Sequence, residues 1–140
     1  MNRRNDAELS DADYRRLAAF RHGLRVFLRF SEEAARDQGV TPNQHQLMLS
    51  VRGWPGPAPP TISDLADQLQ LRLHSTSELA RRAEAAGLVV LRTDAEDHRR
   101  QQVELTTSGR QTLAALSVLH RQELRRFRTH FAELLDTLEE

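Results

Sequence analysis

Apolar residues recur along this chain with two periods, one near 3.6 and one near 2, and the changes of period divide it into elements. Tyr14, Leu17, Leu24, Phe27, Leu28 and Ala35 fall at helical spacing behind Ser10-Asp11-Ala12-Asp13, a capping-box sequence, and Gly39 closes the run. The spacing predicts a helix of about 25 residues, close to 40 Å long at 1.5 Å per residue, which is more than a small core covers with its own atoms. Its apolar stripe is therefore expected to need a partner. Thr41-Pro42 opens a second helix whose buried face is Leu47, Met48 and Val51. Gly53-Trp54-Pro55-Gly56-Pro57-Ala58-Pro59-Pro60 stops it as a stiff surface loop, with Trp54 expected to plug the adjoining core.

Thr61-Ile62-Ser63-Asp64 repeats the capping signature before a short third helix built on Leu65, Ala66 and Leu69. After the turn Gln70-Leu71-Arg72-Leu73, a fourth helix runs from about Leu73 to Ala86, with Thr76, Leu79, Ala80 and Ala83 on one side and Gly87 at its end. The period then shortens: Leu88 to Thr93 and Gln101 to Leu105 read as two strands of a hairpin, joined by a charged loop from Asp94 to Arg100. That loop is longer than the usual two to five residues. Helix, turn, helix and hairpin in this order predict a winged helix-turn-helix, a unit suited to placing one helix in a DNA major groove. Beyond Thr106, read as a helix cap, Leu113, Leu116, His120, Leu124 and Phe127 recur at helical spacing, followed by Phe131, Leu134, Leu135 and Leu138. A break near Arg128-Thr129 is expected to divide this stretch into two helices. Amphipathic helices at both ends predict a two-fold homodimer that buries stripes neither subunit covers alone.

Composition narrows the function classes. At 140 residues and 39% hydrophobic content the chain reads as one domain. No apolar stretch approaches the roughly 20 residues that cross a bilayer, and Met1-Asn2-Arg3-Arg4-Asn5-Asp6 leads into no signal-type region, so the expected location is cytoplasmic, with no membrane partner. With no cysteine, disulfides, thiolate metal sites and thiol redox sensing are excluded. The 20 basic residues are all arginine and balance 20 acids. From Thr61 to Arg110 there are seven arginines (72, 81, 82, 92, 99, 100 and 110) against eight acids (64, 67, 78, 84, 94, 96, 97 and 104), so any basic face must arise from folding.

Leu65-Ala66, the run Ser77-Glu78-Leu79-Ala80-Arg81-Arg82-Ala83-Glu84-Ala85-Ala86-Gly87-Leu88-Val89, Asp97-His98-Arg99 and Leu105-Thr106-Thr107-Ser108-Gly109 together resemble the MarR family of bacterial transcription regulators. The resemblance covers nearly the whole chain. It implies a mainly α fold with a small β-hairpin wing: one MarR-like domain over 1–140, dimerisation helices over 10–38 and 107–140, and a winged-helix DNA-binding lobe over 41–106. It also implies a ligand-responsive transcriptional repressor that binds double-stranded DNA at a pseudo-palindromic operator.

At 100° per residue His74, Ser77, Glu78 and Arg81 share the solvent face of the fourth helix, where Arg81 is expected to read guanine. Glu78 could accept from a cytosine amino group, but Ser75-Thr76-Ser77-Glu78 also has capping-box spacing and the capping role is favoured. Ser75 and Ser77 can reach phosphate oxygens, and Arg82 is expected at the helix flank in a salt bridge or phosphate contact. The resemblance carries Asp97 and Arg99 onto the family's wing motif, the arginine at the minor groove and the aspartate holding the loop, with Arg100 as a backbone contact. It also suggests a small aromatic or phenolic effector, for which Phe20, Phe27, Phe30, His45 and Trp54 are candidate lining residues, although core packing is the stronger reading of each.

Three other classes compete with this one. The chain has no phosphate-binding glycine loop, no His-Glu-x-x-His and no cysteine nucleophile, so an enzyme and a bound cofactor are not expected. His22, His45, His120 and His130 lack chelate spacing, which speaks against a metal site. A winged-helix module for protein contact is the strongest rival, because the 61–110 region is close to neutral.

Overall fold

The computed structural model describes residues 8–138. Residues 1–7, 139 and 140, and the side chains of Thr129, His130, Thr137 and Leu138, lie outside the described residues. The elements, in chain order, are α1 (Asp11–Asp37), α2 (Pro42–Arg52), α3 (Ile62–Leu69), α4 (Leu73–Ala85), β1 (Val89–Thr93), β2 (Gln101–Leu105) and α5 (Thr107–Leu138). The fold is thus mainly α with one antiparallel hairpin, as the sequence pattern predicts.

Helix starts are set by short-range hydrogen bonds. Ser10 precedes α1 and exchanges bonds with Asp13, whose carboxylate accepts from the Ser10 backbone amide at 2.9 Å and from its hydroxyl at 2.9 Å. The backbone bond first, and the hydroxyl second, hold the Asp13 carboxyl below its ordinary pKa. Thr41 and Gln44 cap α2, and Thr61 and Asp64 cap α3, each by a reciprocal capping box. Between α3 and α4 the chain turns through Gln70 in the left-handed region, at φ 54°. Gly87, at φ +76°, ends α4 where a side chain would be strained.

The chain forms two compact units. One contains residues 32–118. Its core joins Ala34, Ala35 and Val40 to Leu47 and Met48 of α2, Ile62 and Leu65 of α3, Ala80 and Ala83 of α4, Val89 and Val103 of the hairpin, and Leu113 and Leu116 of α5. Thr76 is fully buried among them, its hydroxyl satisfied by donating to the Arg72 carbonyl at 2.9 Å. β1 and β2 pair from Val89 opposite Leu105 to Thr93 opposite Gln101. The outer edge of β2 is covered by the proline-rich segment: Thr61 bridges Gln102, and the Val103 amide donates to the Pro60 carbonyl at 2.9 Å. Trp54 is half-buried against Gly56 of its own loop and does not enter the buried core.

The other unit is built from the first part of α1 and the last part of α5. Phe20 meets Phe131 edge-on at 5.6 Å, Phe27 meets Phe127 at 5.6 Å, and His120 lies edge-on between Phe27 and Phe30 while bonding the Ser31 hydroxyl at 2.7 Å. The expected break near Arg128-Thr129 is absent, and α5 runs as one helix to Leu138. No glycine or proline falls between Arg110 and Leu138, so nothing in the backbone interrupts the hydrogen-bond ladder. The predicted α1 stripe also divides. Ala35 is buried and Leu24 and Phe27 are partly covered within the chain, whereas Tyr14, Leu17 and Leu28 are exposed.

Candidate nucleic-acid interface

α3 and α4 form the helix-turn-helix, and α4 turns Thr76, Ala80 and Ala83 into the core, leaving its opposite face to solvent. His74, Ser75, Arg81 and Arg82 are exposed there, and Ser77 and Glu78 are partly so. Arg81 donates from its guanidinium to the Glu78 carboxylate three residues earlier. The capping role favoured for Glu78 is therefore not observed. α4 begins at Leu73 with Arg72 at its N-cap and no side-chain cap bond, so Ser75 already lies inside the first turn and cannot serve as the N-cap that a capping box with Glu78 requires.

The wing tip is ordered by its own acids. The Asp94 carboxylate accepts from the Glu96 amide at 2.9 Å and the Asp97 carboxylate from the Arg99 amide at 3.0 Å, while Arg100 pairs with Asp97 at 3.8 Å. Asp97 thus closes a turn that leaves the Arg99 and Arg100 side chains at the surface.

Charge balance over 61–110 acquires a physical meaning once these bonds are traced. Asp64 caps α3, Glu78 holds Arg81, Glu84 accepts the Leu91 amide at 2.6 Å, and Glu104 pairs with Arg92 across the hairpin at 2.8 Å. Asp94 and Asp97 are engaged in the wing turn. Six of the eight acids are therefore occupied locally, whereas among the described residues Arg72, Arg82 and Arg99 are exposed and form no ion pair. Three guanidinium groups, at the start and flank of α4 and in the wing, are thus free to meet phosphates although the charge sum over the region is near zero.

The two elements meet at a depression of about 340 Å³ lined by Thr61, Ile62, Ser63 and Asp64 at the start of α3, Leu73 and Ser77 of α4, and Arg99, Arg100 and Gln101 of the wing. Ser77, Arg99 and Arg100 were expected at the interface, and the structure brings them together. Ser63 and Leu73 join them without having been singled out by the sequence pattern. For Leu73 the helical angle gives no clear signal, because it lies about 40° from Ser77 but only about 20° from the buried Ala80 on a helix of 100° per residue.

The aromatic candidates distribute over both units. Phe20, Phe27 and Phe30 gather with Phe127, Phe131 and His120 in one, and Phe20 also lines an apolar groove of about 500 Å³ with Val26, Phe131 and Leu134. His45 and Trp54 belong to the other, His45 buried on α2 and Trp54 at the proline-rich loop. Among the described residues no helix is long and apolar enough to cross a membrane.

Residues 38–100 match the model of the MarR family. Over its length the chain is similar to the crystal structure of the MarR family transcription regulator SP03579, with 26% identity and a TM-score of 0.76 over 92% of this chain and 83% of that one. It is also similar in fold to AbsC, a MarR family transcriptional regulator from Streptomyces coelicolor, at 23% identity and a TM-score of 0.73 over 94% and 88% of the two chains. The S. aureus MepR-DNA complex is a third structural relative, at 24% identity and a TM-score of 0.63 over 86% and 95%. Comparison with curated protein sequences gives no match.

Proposed function

We propose that this chain, a winged helix-turn-helix protein whose residues 38–100 match the model of the MarR family, is a sequence-specific DNA-binding regulator that acts as a homodimer on a pseudo-palindromic operator. The observation that carries the reading is the convergence of Ser77 of α4 with Arg99 and Arg100 of the wing, in a region whose acids are largely occupied by local bonds. Arg81 reads a base edge, Arg82 and the serines hold phosphates, and Arg99 enters the minor groove beside the wing. Homodimerisation is supported by large apolar side chains left exposed on the terminal helices, including Tyr14, Leu17, Leu28, Leu124 and Leu135. A second copy burying them supplies the partner that the long α1 stripe requires, and it sets two α4 helices in successive major grooves about 34 Å apart.

Occupancy of such a site blocks competing proteins, which makes repression the mode of action. The reading includes a small aromatic or phenolic effector, for which the aromatic groups of the chain offer stacking surfaces. Such a ligand releases DNA only by preferring a dimer geometry in which the α4 helices are mis-spaced, since equal affinity for both states shifts nothing.

The reading is tested by binding of the purified protein to genomic DNA fragments across a salt series. Affinity is expected to fall steeply with salt. Arg99→Ala is expected to weaken all fragments similarly and to reduce the log–log salt slope by about one for each phosphate that the wing no longer neutralises. Absent or salt-independent binding would instead favour a winged-helix module for protein contact.

A further inference from the structure

Leu73 opens α4 and is 57% exposed. Its neighbours in the apolar pattern are accounted for: Leu69 and Leu79 pack against the core, and Leu71 lines a separate hollow with Asn43, Gln46 and Gln68. Leu73 instead lines the depression shared by Ser63, Ser77, Arg99 and Arg100. At 100° per residue it lies about 40° from Ser77 and about 80° from Arg81, but also about 20° from the buried Ala80, so it stands at the edge of the core-facing side, where the first turn of α4 leaves it open to solvent.

A single exposed leucine on a protein surface needs no explanation. Position is what distinguishes this one. Ile62 is its one apolar neighbour in the depression and is itself buried; the rest of the lining is polar, and the hydroxyls and guanidinium ions of Ser63, Ser77, Arg99 and Arg100 match phosphates and the polar edges of bases, which the exposed part of an isobutyl group does not. The DNA major groove offers donors and acceptors almost throughout, and its one apolar feature is the C5-methyl of thymine. Residues in the first turn of a recognition helix are the ones that contact base edges.

We propose that Leu73 is a specificity-determining residue that packs against a thymine C5-methyl in each half-site. The proposal rests on the DNA-binding reading above. Leu73 and Arg81 are separated by about 12 Å along the helix axis, so the thymine lies within about four base pairs of the base that Arg81 contacts.

The test uses the full chain and a duplex selected from random DNA. Each thymine is replaced in turn by deoxyuridine, which removes only the methyl group, and dissociation constants are measured for the unsubstituted protein and for Leu73→Ala. One thymine per half-site is expected to weaken binding of the unsubstituted protein about fourfold when its methyl is removed, the effect of about one buried methyl-sized group. The same replacement is expected to leave Leu73→Ala unchanged. Because Leu73 is exposed, the variant should melt at the same temperature as the parent, which separates a missing methyl interaction from a damaged fold. Equal effects of every replacement on both proteins would overturn the role of Leu73 while leaving the DNA-binding reading standing. Failure to select any sequence would overturn that reading and this proposal with it.

Discussion

Gly109→Ala is expected to destabilise the protein by about 3 kcal/mol, lowering the thermal midpoint by roughly 10 °C. A Cβ at this position would lie 2.0 Å from the Leu88 carbonyl oxygen and 3.0 Å from its carbon, so the obstruction is backbone and no rotamer can relieve it. The closeness is structural in purpose. The Thr106 amide donates to the Leu88 carbonyl at 3.1 Å, its hydroxyl donates to the Gly87 carbonyl at 2.6 Å, and the same hydroxyl accepts the Gly109 amide at 2.9 Å. One threonine therefore starts α5 and fastens it to the end of α4, and only glycine three residues later allows the approach. Relief of the clash must move α5 away from Leu88, at the cost of these bonds and of packing around Leu113 and Leu116. Chemical denaturation measures the loss, and a change below about 0.5 kcal/mol would show that the junction yields more easily than its geometry implies.

Arg81→Ala should have the largest effect on recognition. A bidentate arginine–guanine contact discriminates by about 1–3 kcal/mol, and a two-fold complex contains it twice, so the operator should weaken by roughly 2–6 kcal/mol. In the free protein Arg81 is engaged with Glu78, and DNA must replace or accommodate that pair. Both side chains are substantially exposed, so the pair contributes no more than about 1 kcal/mol, less than the bidentate guanine pairing provides. Exchange is favourable on these magnitudes. Titration of the variant against the operator and against duplexes changed at single positions distinguishes reading from holding. Preference at one base pair of each half-site should collapse. A uniform loss across all sequences would place Arg81 on a phosphate instead.

Much of this architecture was legible because it depends on short-range chemistry. The caps at Ser10, Thr41 and Thr61 are set by residues three apart, and the hairpin ends follow from a change of period that the backbone must obey. Glu78 illustrates the limit. Ser75 to Glu78 has the spacing of a capping box, but that spacing acts as one only if the helix begins there, and the turn at Gln70 starts α4 at Leu73 instead. Periodicity likewise reports which residues are apolar without reporting what covers them. Tyr14, Leu17 and Leu28 share one flank of α1, and Leu124 and Leu135 one flank of α5, yet all five are exposed within a single chain. Leu73 was hidden for the related reason that its apolar character reads as core until its exposure is known. The absence of a break in α5 has a simpler cause: its sequence has no residue that forces one.

Footprinting of the purified protein on a selected duplex, with stoichiometry measured on the same complex, tests the central claim most directly. Two inverted half-sites should be protected on one face of the DNA, with centres about 10 base pairs apart and two chains bound per site. Protection of a single half-site by one chain, or binding that leaves no footprint at any sequence, would contradict the account.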